Sequence, residues 1–356
     1  MNPGIGALWD QLVQAGVVSG AVPDGSRIHP PWYVRVMLGV SGWIAALFLL
    51  GFIAAGLEFI IESNAASIFA GSLALVAAFT LFRLARNDFH EQFALAVSFA
   101  GQGLAFFGLA EEIGWSGSGL WWSAAMLQIF IAVVMPNFVQ RLVAAYLAAC
   151  TLSIAMLLHG APVVVPVLVT SGVALIWLKE FKWQHWSAMM RPVGYGLTVG
   201  LVQVEGQALF GHALQLFGSH QEAFQIAFPA WLGELALGLL LVAVVGRLLS
   251  RSGESWTATR MWAVLGMAAV IAVVSLKAPG VATGFIIILL GFSNGNRTLV
   301  GLGMAALLFY LSAYYYNLEA TLLIKSLILA AAGSLLLGVR WLILKWLFPA
   351  GEESRV

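Results

Sequence analysis

The sequence predicts an all-α fold, a polytopic bundle of about twelve transmembrane helices with both termini in the cytoplasm. Three observations predict it. Of 356 residues, 61% are hydrophobic and only 9% are charged, where soluble domains carry roughly 25% charged residues. The apolar residues fall into runs of about 20, the length that crosses a hydrocarbon core. Lysine and arginine gather on one side of the alternation these runs create.

Taken in order, the predicted spans are 34–61, 65–85, 92–113, 119–136, 139–158, 161–178, 193–217, 227–249, 259–276, 279–293, 299–317 and 320–347. Before them, residues 1–31 form a cytoplasmic segment. Ile5, Leu8, Leu12 and Val13 stand near helical spacing there, and Gly16 and Gly20 can end the helix. The turn-rich VPDGSRIHPP joins this amphipathic piece to the membrane domain, 32–348. Residues 349–356 are a cytoplasmic tail. The opening segment carries no secretory-leader pattern, because the apolar run that follows it is too long. The first and last spans are long enough to tilt. Pro162 and Pro166 open the sixth; Pro162 suits a first turn, whereas Pro166 predicts a bend. The tenth span is short, and the seventh is the most polar.

With the N-terminus inside, Arg27, Arg35, Arg83, Arg86, Arg141, Lys179, Lys182, Arg191, Arg247, Arg251, Arg260, Arg297, Arg340, Lys345 and Arg355 all fall on the cytoplasmic side. Only Lys277 and Lys325 fall outside. One miscounted span would invert every later loop and destroy this bias, so the bias also supports an even number of spans.

The segments PPWYVRVMLGVSGWIAALFLLGF near the start and YYYNLEATLLIKSLILAAAGSLLL near the end resemble an uncharacterised family of bacterial integral membrane proteins. Its members carry a domain of unknown function and are associated with small proteins bearing a Gly-Asp-Tyr-x-x-Leu-x-Tyr motif. The resemblance implies a bacterial inner-membrane location and a small membrane or periplasmic partner encoded separately, since Gly-Asp-Tyr is absent from this chain. It implies no catalytic residue.

The seventh span, GYGLTVGLVQVEGQALFGHALQLFG, holds the best candidate site. Intramembrane charge costs a few kcal/mol or more and usually faces a bundle interior. Glu205 falls near mid-bilayer, with Thr198 two turns before it and His212 two turns after it on the same face. Gln203 and Gln207 share another face, and Gly196 and Gly200 form a GxxxG pair that lets a neighbouring helix approach. Two readings stay open for Glu205: a proton or cation site relayed outward by His212, or a carboxyl that fixes packing by hydrogen-bonding another helix.

Glu58, Glu111, Glu112, Glu234 and Glu319 cluster toward the outside. Glu234, in the first turns of the eighth span, suits the positive end of the helix dipole. Near the end, Tyr314, Tyr315 and Tyr316 mark interface depth. Lys325 either snorkels to the outer surface or turns inward toward Glu205 or Glu234.

Nothing points to metal or cofactor. His159, His212 and His220 lack ligand-pair spacing, and Cys150 is the single cysteine. A net charge of +1 gives no pull toward nucleic acid; Trp183, Trp186 and the lysines around them suit lipid headgroups instead. The lipid bilayer is the one partner the composition requires, and the oligomeric state is not encoded in it. Phosphate-binding loops and HExxH are absent. Three functions therefore stand: transport or conduction of a small solute, ion or lipid; a scaffold holding a partner at the outer face; and an enzyme acting on a lipid-linked substrate.

Overall fold

The computed structural model describes residues 63–85, 88–180, 184–210, 229–251 and 258–317, with isolated positions elsewhere. Among the described residues the elements are all helical: α1 Asn64–Leu84, α2 Asp88–Ile113, α3 Ser118–Val134, α4 Phe138–Leu158 and α5 Val164–Leu178. A 3-10 turn at Gln184–Trp186 leads into α6 Ser187–Phe210, followed by α7 Ala230–Leu249, α8 Ala258–Ser275, α9 Val281–Ser293 and α10 Arg297–Asn317. These ten correspond to the second through eleventh predicted spans. The first and twelfth spans and both terminal segments lie largely outside the described residues.

Among the described residues, five helices are long and apolar enough to cross a membrane by length and composition: α1, α2, α4, α7 and α10. Four more are apolar and shorter. The sides these helices present are themselves apolar. Phe69, Met126, Leu239, Trp262, Leu308 and Phe292 are all exposed, the last at 81%. Soluble monomers rarely display apolar surface on this scale. The protein is a membrane protein, and lipid is the solvent these side chains fit.

The helix ends are built conventionally. Ser63 and Asn137 cap α1 and α4 with side-chain oxygens that accept from Ala66 N and Gln140 N. Pro166 occupies the first turn of α5, where its missing N–H leaves no bond unmade. The bend expected there has no cause. Pro192 instead lies inside α6, so Ala188 O loses its donor four residues on. Arg141 Nη1 from α4 fills that vacancy at 3.1 Å.

Inter-helix hydrogen bonds join ends that an up-and-down path brings to one face. Asn137 Nδ2 reaches Glu91 Oε2, Asn294 Nδ2 reaches Trp177 O at 3.0 Å, and Asn296 Nδ2 reaches Tyr195 Oη at 2.7 Å. Arg83, Arg141, Lys179, Arg191, Arg247 and Arg297 stand at helix ends of this same face. At the opposite face Asn64 Nδ2 donates to Glu112 Oε2. The charge asymmetry of the sequence thus becomes one basic end of the bundle.

The core lies among α5, α6, α7 and α9, where Val169, Trp177, Leu201, Leu241 and Ile286 interlock. A second cluster joins α3 to α4 around Ile131, Met135 and Ala144. Glycine sets the closest approaches. The GxxxG pair of α6 lies on α4: a Cβ on Gly196 would stand 2.1 Å from Leu142 O, and one on Gly200 2.8 Å from Ala149 Cβ.

Helix α9 is the most enclosed, with Val281 through Gly284, Ile286, Ile287, Leu290 and Gly291 buried. At 13 residues it rises only ~20 Å, short of the ~30 Å hydrocarbon core. Being surrounded by protein rather than lipid, it need not span that thickness. Gln140 is a local cost to the fold: fully buried, with both amide atoms lacking a partner among the described residues. Gln140→Met keeps the shape and removes that penalty, so thermal unfolding in mild detergent should show a gain of about 1 kcal/mol.

Candidate functional site

Glu205 comes from the inward face of α6, one turn beyond Leu201 and two beyond Thr198, all of them buried. The residue is 3% exposed. Oε1 accepts a hydrogen bond from Thr283 Oγ1 at 2.7 Å. Thr283 is the third residue of α9, so the bond ties Glu205 to the first turn of that helix.

Two further groups interact electrostatically with Glu205. Glu234, on the fifth residue of α7, shares a face with Leu237 and Leu241 and interacts electrostatically with Glu205. Its Oε2 is buried without a hydrogen-bond partner among the described residues. Tyr310 of α10 is fully buried, interacts with both acids, and donates its hydroxyl to Val202 O of α6 at 3.3 Å. Gly280, at φ 84°, makes room for it, because a Cβ there would meet the Tyr310 ring at 2.7 Å. The turn before α9 therefore needs glycine both for its left-handed backbone and for the ring pressed against it. Four helices converge on two carboxyls and two hydroxyls in an otherwise apolar core.

The other predicted site residues are distributed differently. Thr198 is buried, but its hydroxyl donates back to Gly194 O at 2.7 Å within its own helix. It satisfies itself and does not reach Glu205. Gln203 turns outward on α6, where Tyr146 Oη of α4 donates to its Oε1. The Gln207 side chain, His212 and Lys325 lie outside the described residues, and with them the relay to His212 and the direction in which Lys325 turns. Among the outer acids, Glu58 and Glu319 also lie outside them. Glu111 and Glu112 are exposed and locally engaged: Trp115 Nε1 donates to Glu111 Oε1 at 2.9 Å, and Asn64 ties Glu112 to α1. They brace the end of α2 and stand apart from Glu205.

The residues that sequence reasoning missed are Thr283 and Tyr310. Each is a lone hydroxyl in an apolar helix, and only its partner across the bundle distinguishes it from packing. Thr283→Val keeps the shape and strands Glu205 Oε1, so it should lower stability by about 1–2 kcal/mol in detergent unfolding.

Among the described residues, no three His, Cys, Asp or Glu side chains converge as metal ligands. The site is suited to exchanging a proton, or to holding a small cation, between two acids on separate helices.

The family model described as a domain of unknown function (DUF4401) matches residues 31–346. No curated protein and no solved structure matches the chain.

Proposed function

The chain belongs to the DUF4401 family, whose description carries no activity, and from that premise we propose that it moves a small solute, ion or lipid across a membrane by a step linked to protonation of Glu205. One observation carries the reading: Glu205, 3% exposed, is buried in an apolar core where the Thr283 hydroxyl of another helix donates to its carboxyl. Packing alone does not call for this. An amide at 205 would accept from Thr283 equally well, without the cost of a titratable group in hydrocarbon. Retaining two acids makes sense where a proton must come and go.

In this reading the protein has twelve spans in an inner membrane, with the basic end of the bundle and both termini in the cytoplasm. Glu205, Thr283, Glu234 and Tyr310 then lie in the outer half, and the proton enters from outside. Glu234, whose Oε2 has no partner among the described residues, takes a proton released by Glu205 or passes one to it. Tyr310 holds its hydroxyl on α6 at Val202 O. A change of charge at Glu205 alters its hold on Thr283, and so the seating of α9 against α6.

The test is proton uptake by proteoliposomes under an imposed inside-negative potential, followed with a trapped pH dye. Wild-type protein should acidify the lumen faster than Glu205→Gln does. Equal rates would overturn the proposal.

A further inference from the structure

A polar seam on the outward side of α4 and α6 stands apart from the Glu205 core and is independent of the function proposed for it. Tyr146 and Cys150 lie one turn apart on α4 and hydrogen-bond each other. Tyr146 Oη gives its own proton to Gln203 Oε1 of α6, so it accepts from the Cys150 thiol. The chain of bonds ends at the Gln203 amide. Its Nε2 carries two donors, and neither has a partner among the described residues.

Those donors meet the wrong solvent. Gln203 is exposed, and so is Val199, one turn earlier on the same face. Tyr146 is the ninth residue of α4, a rise of ~12 Å from its start. Gln203 precedes the mid-span Glu205 by two residues. Both therefore lie at hydrocarbon depth, where no water reaches an exposed N–H and acyl chains accept nothing. A glutamine on this surface calls for a polar partner from outside the chain.

The chemistry of the amide selects that partner. Gln203 has donors to spare at Nε2, and Oε1 keeps a second lone pair beside the bond from Tyr146. A group with both a spare donor and a spare acceptor complements itself. Two copies inserted the same way round, related by a two-fold axis along the membrane normal, bring Gln203 against Gln203 at one depth. Each Nε2 then donates to the other copy's Oε1, with Val199 packed beside the pair.

We propose that this face of α4 and α6 is the contact between two copies of the chain in the membrane, closed by reciprocal Gln203 amide bonds.

The test takes the full chain, labelled with donor or acceptor dye at its N-terminal amine, in phosphatidylcholine vesicles. Energy transfer is followed as the lipid-to-protein ratio rises. Wild-type protein should associate, and Gln203→Leu should raise the dissociation constant about tenfold, the ratio two intramembrane hydrogen bonds supply. Crosslinking gives a second measure. In a Cys150→Ser background, Val199→Cys should form a disulfide-linked dimer under mild oxidation. Val270→Cys, 63% exposed on α8, should not. A wild type that stays monomeric at every ratio overturns the proposal, as does an equal dissociation constant for Gln203→Leu. Should Gln203→Leu not fold, crosslinking decides: no preference for position 199 over position 270 overturns it too.

Discussion

Proteoliposomes carrying Glu205→Gln are expected to take up protons no faster than protein-free vesicles, while the variant remains folded. The amide preserves volume and still offers Oε1 to the Thr283 hydroxyl, which now sits 2.7 Å from the carboxyl. It cannot exchange a proton. Loss of flux with unchanged unfolding behaviour would separate proton binding from packing. Glu234→Gln should act in the same direction, because its carboxyl interacts electrostatically with Glu205 and its Oε2 is unpartnered among the described residues. Glu112→Gln should leave flux intact, since that acid is exposed at the end of α2 and bonds Asn64. If Glu205→Gln transports at the wild-type rate, the buried acid only fixes packing and the transport proposal fails.

The largest expected effect on stability is at Gly196. Gly196→Leu should cost about 3 kcal/mol or more and sharply reduce the yield of folded protein. Its Cβ would lie 2.1 Å from Leu142 O and 2.9 Å from Ala145 Cβ. The first of these is backbone, which cannot swing aside, so α4 and α6 must separate. That separation also opens the α6 face carrying Leu201 and Val204, both in the main core. Gly103→Leu is the matched control, because nothing lies within 4 Å of a Cβ there. In an open helical position leucine replaces glycine with a gain of up to about 1 kcal/mol. Equal melting of the two variants in detergent would refute the close α4–α6 contact.

Much of the fold was legible because lipid leaves few choices. Without water in the core, a span must be apolar and must satisfy its own backbone, so hydropathy locates helices. The ten helices α1 to α10 fall on predicted spans, although α6 begins at Ser187, ahead of the predicted 193. Pro192 concealed that start, since proline reads as a breaker until Arg141 is seen to occupy the freed carbonyl of Ala188.

Part of the site was legible as well. Glu205 stood out as a charge in an apolar run, and Gly196 and Gly200 as a close-packing pair. Thr198 misled, because spacing puts it on the Glu205 face while its hydroxyl bonds its own helix at Gly194 O. Gln203 showed its different face correctly, though nothing in the sequence connected it with Tyr146.

The sequence by itself determined the class of protein, the position of the helices, the basic end of the bundle and the one acid worth testing. Those properties are local, fixed by the solvent each segment meets and by spacing along one helix. Tertiary structure alone decided that Glu205 meets Thr283, 78 residues away, and that Glu234 and Tyr310 interact electrostatically with Glu205. It also decided that Gln128 Oε1 is buried with no partner among the described residues. Such pairings depend on how each helix is rotated and which neighbour its small residues admit. Both are set by side-chain packing between segments distant in sequence, and no single span records it.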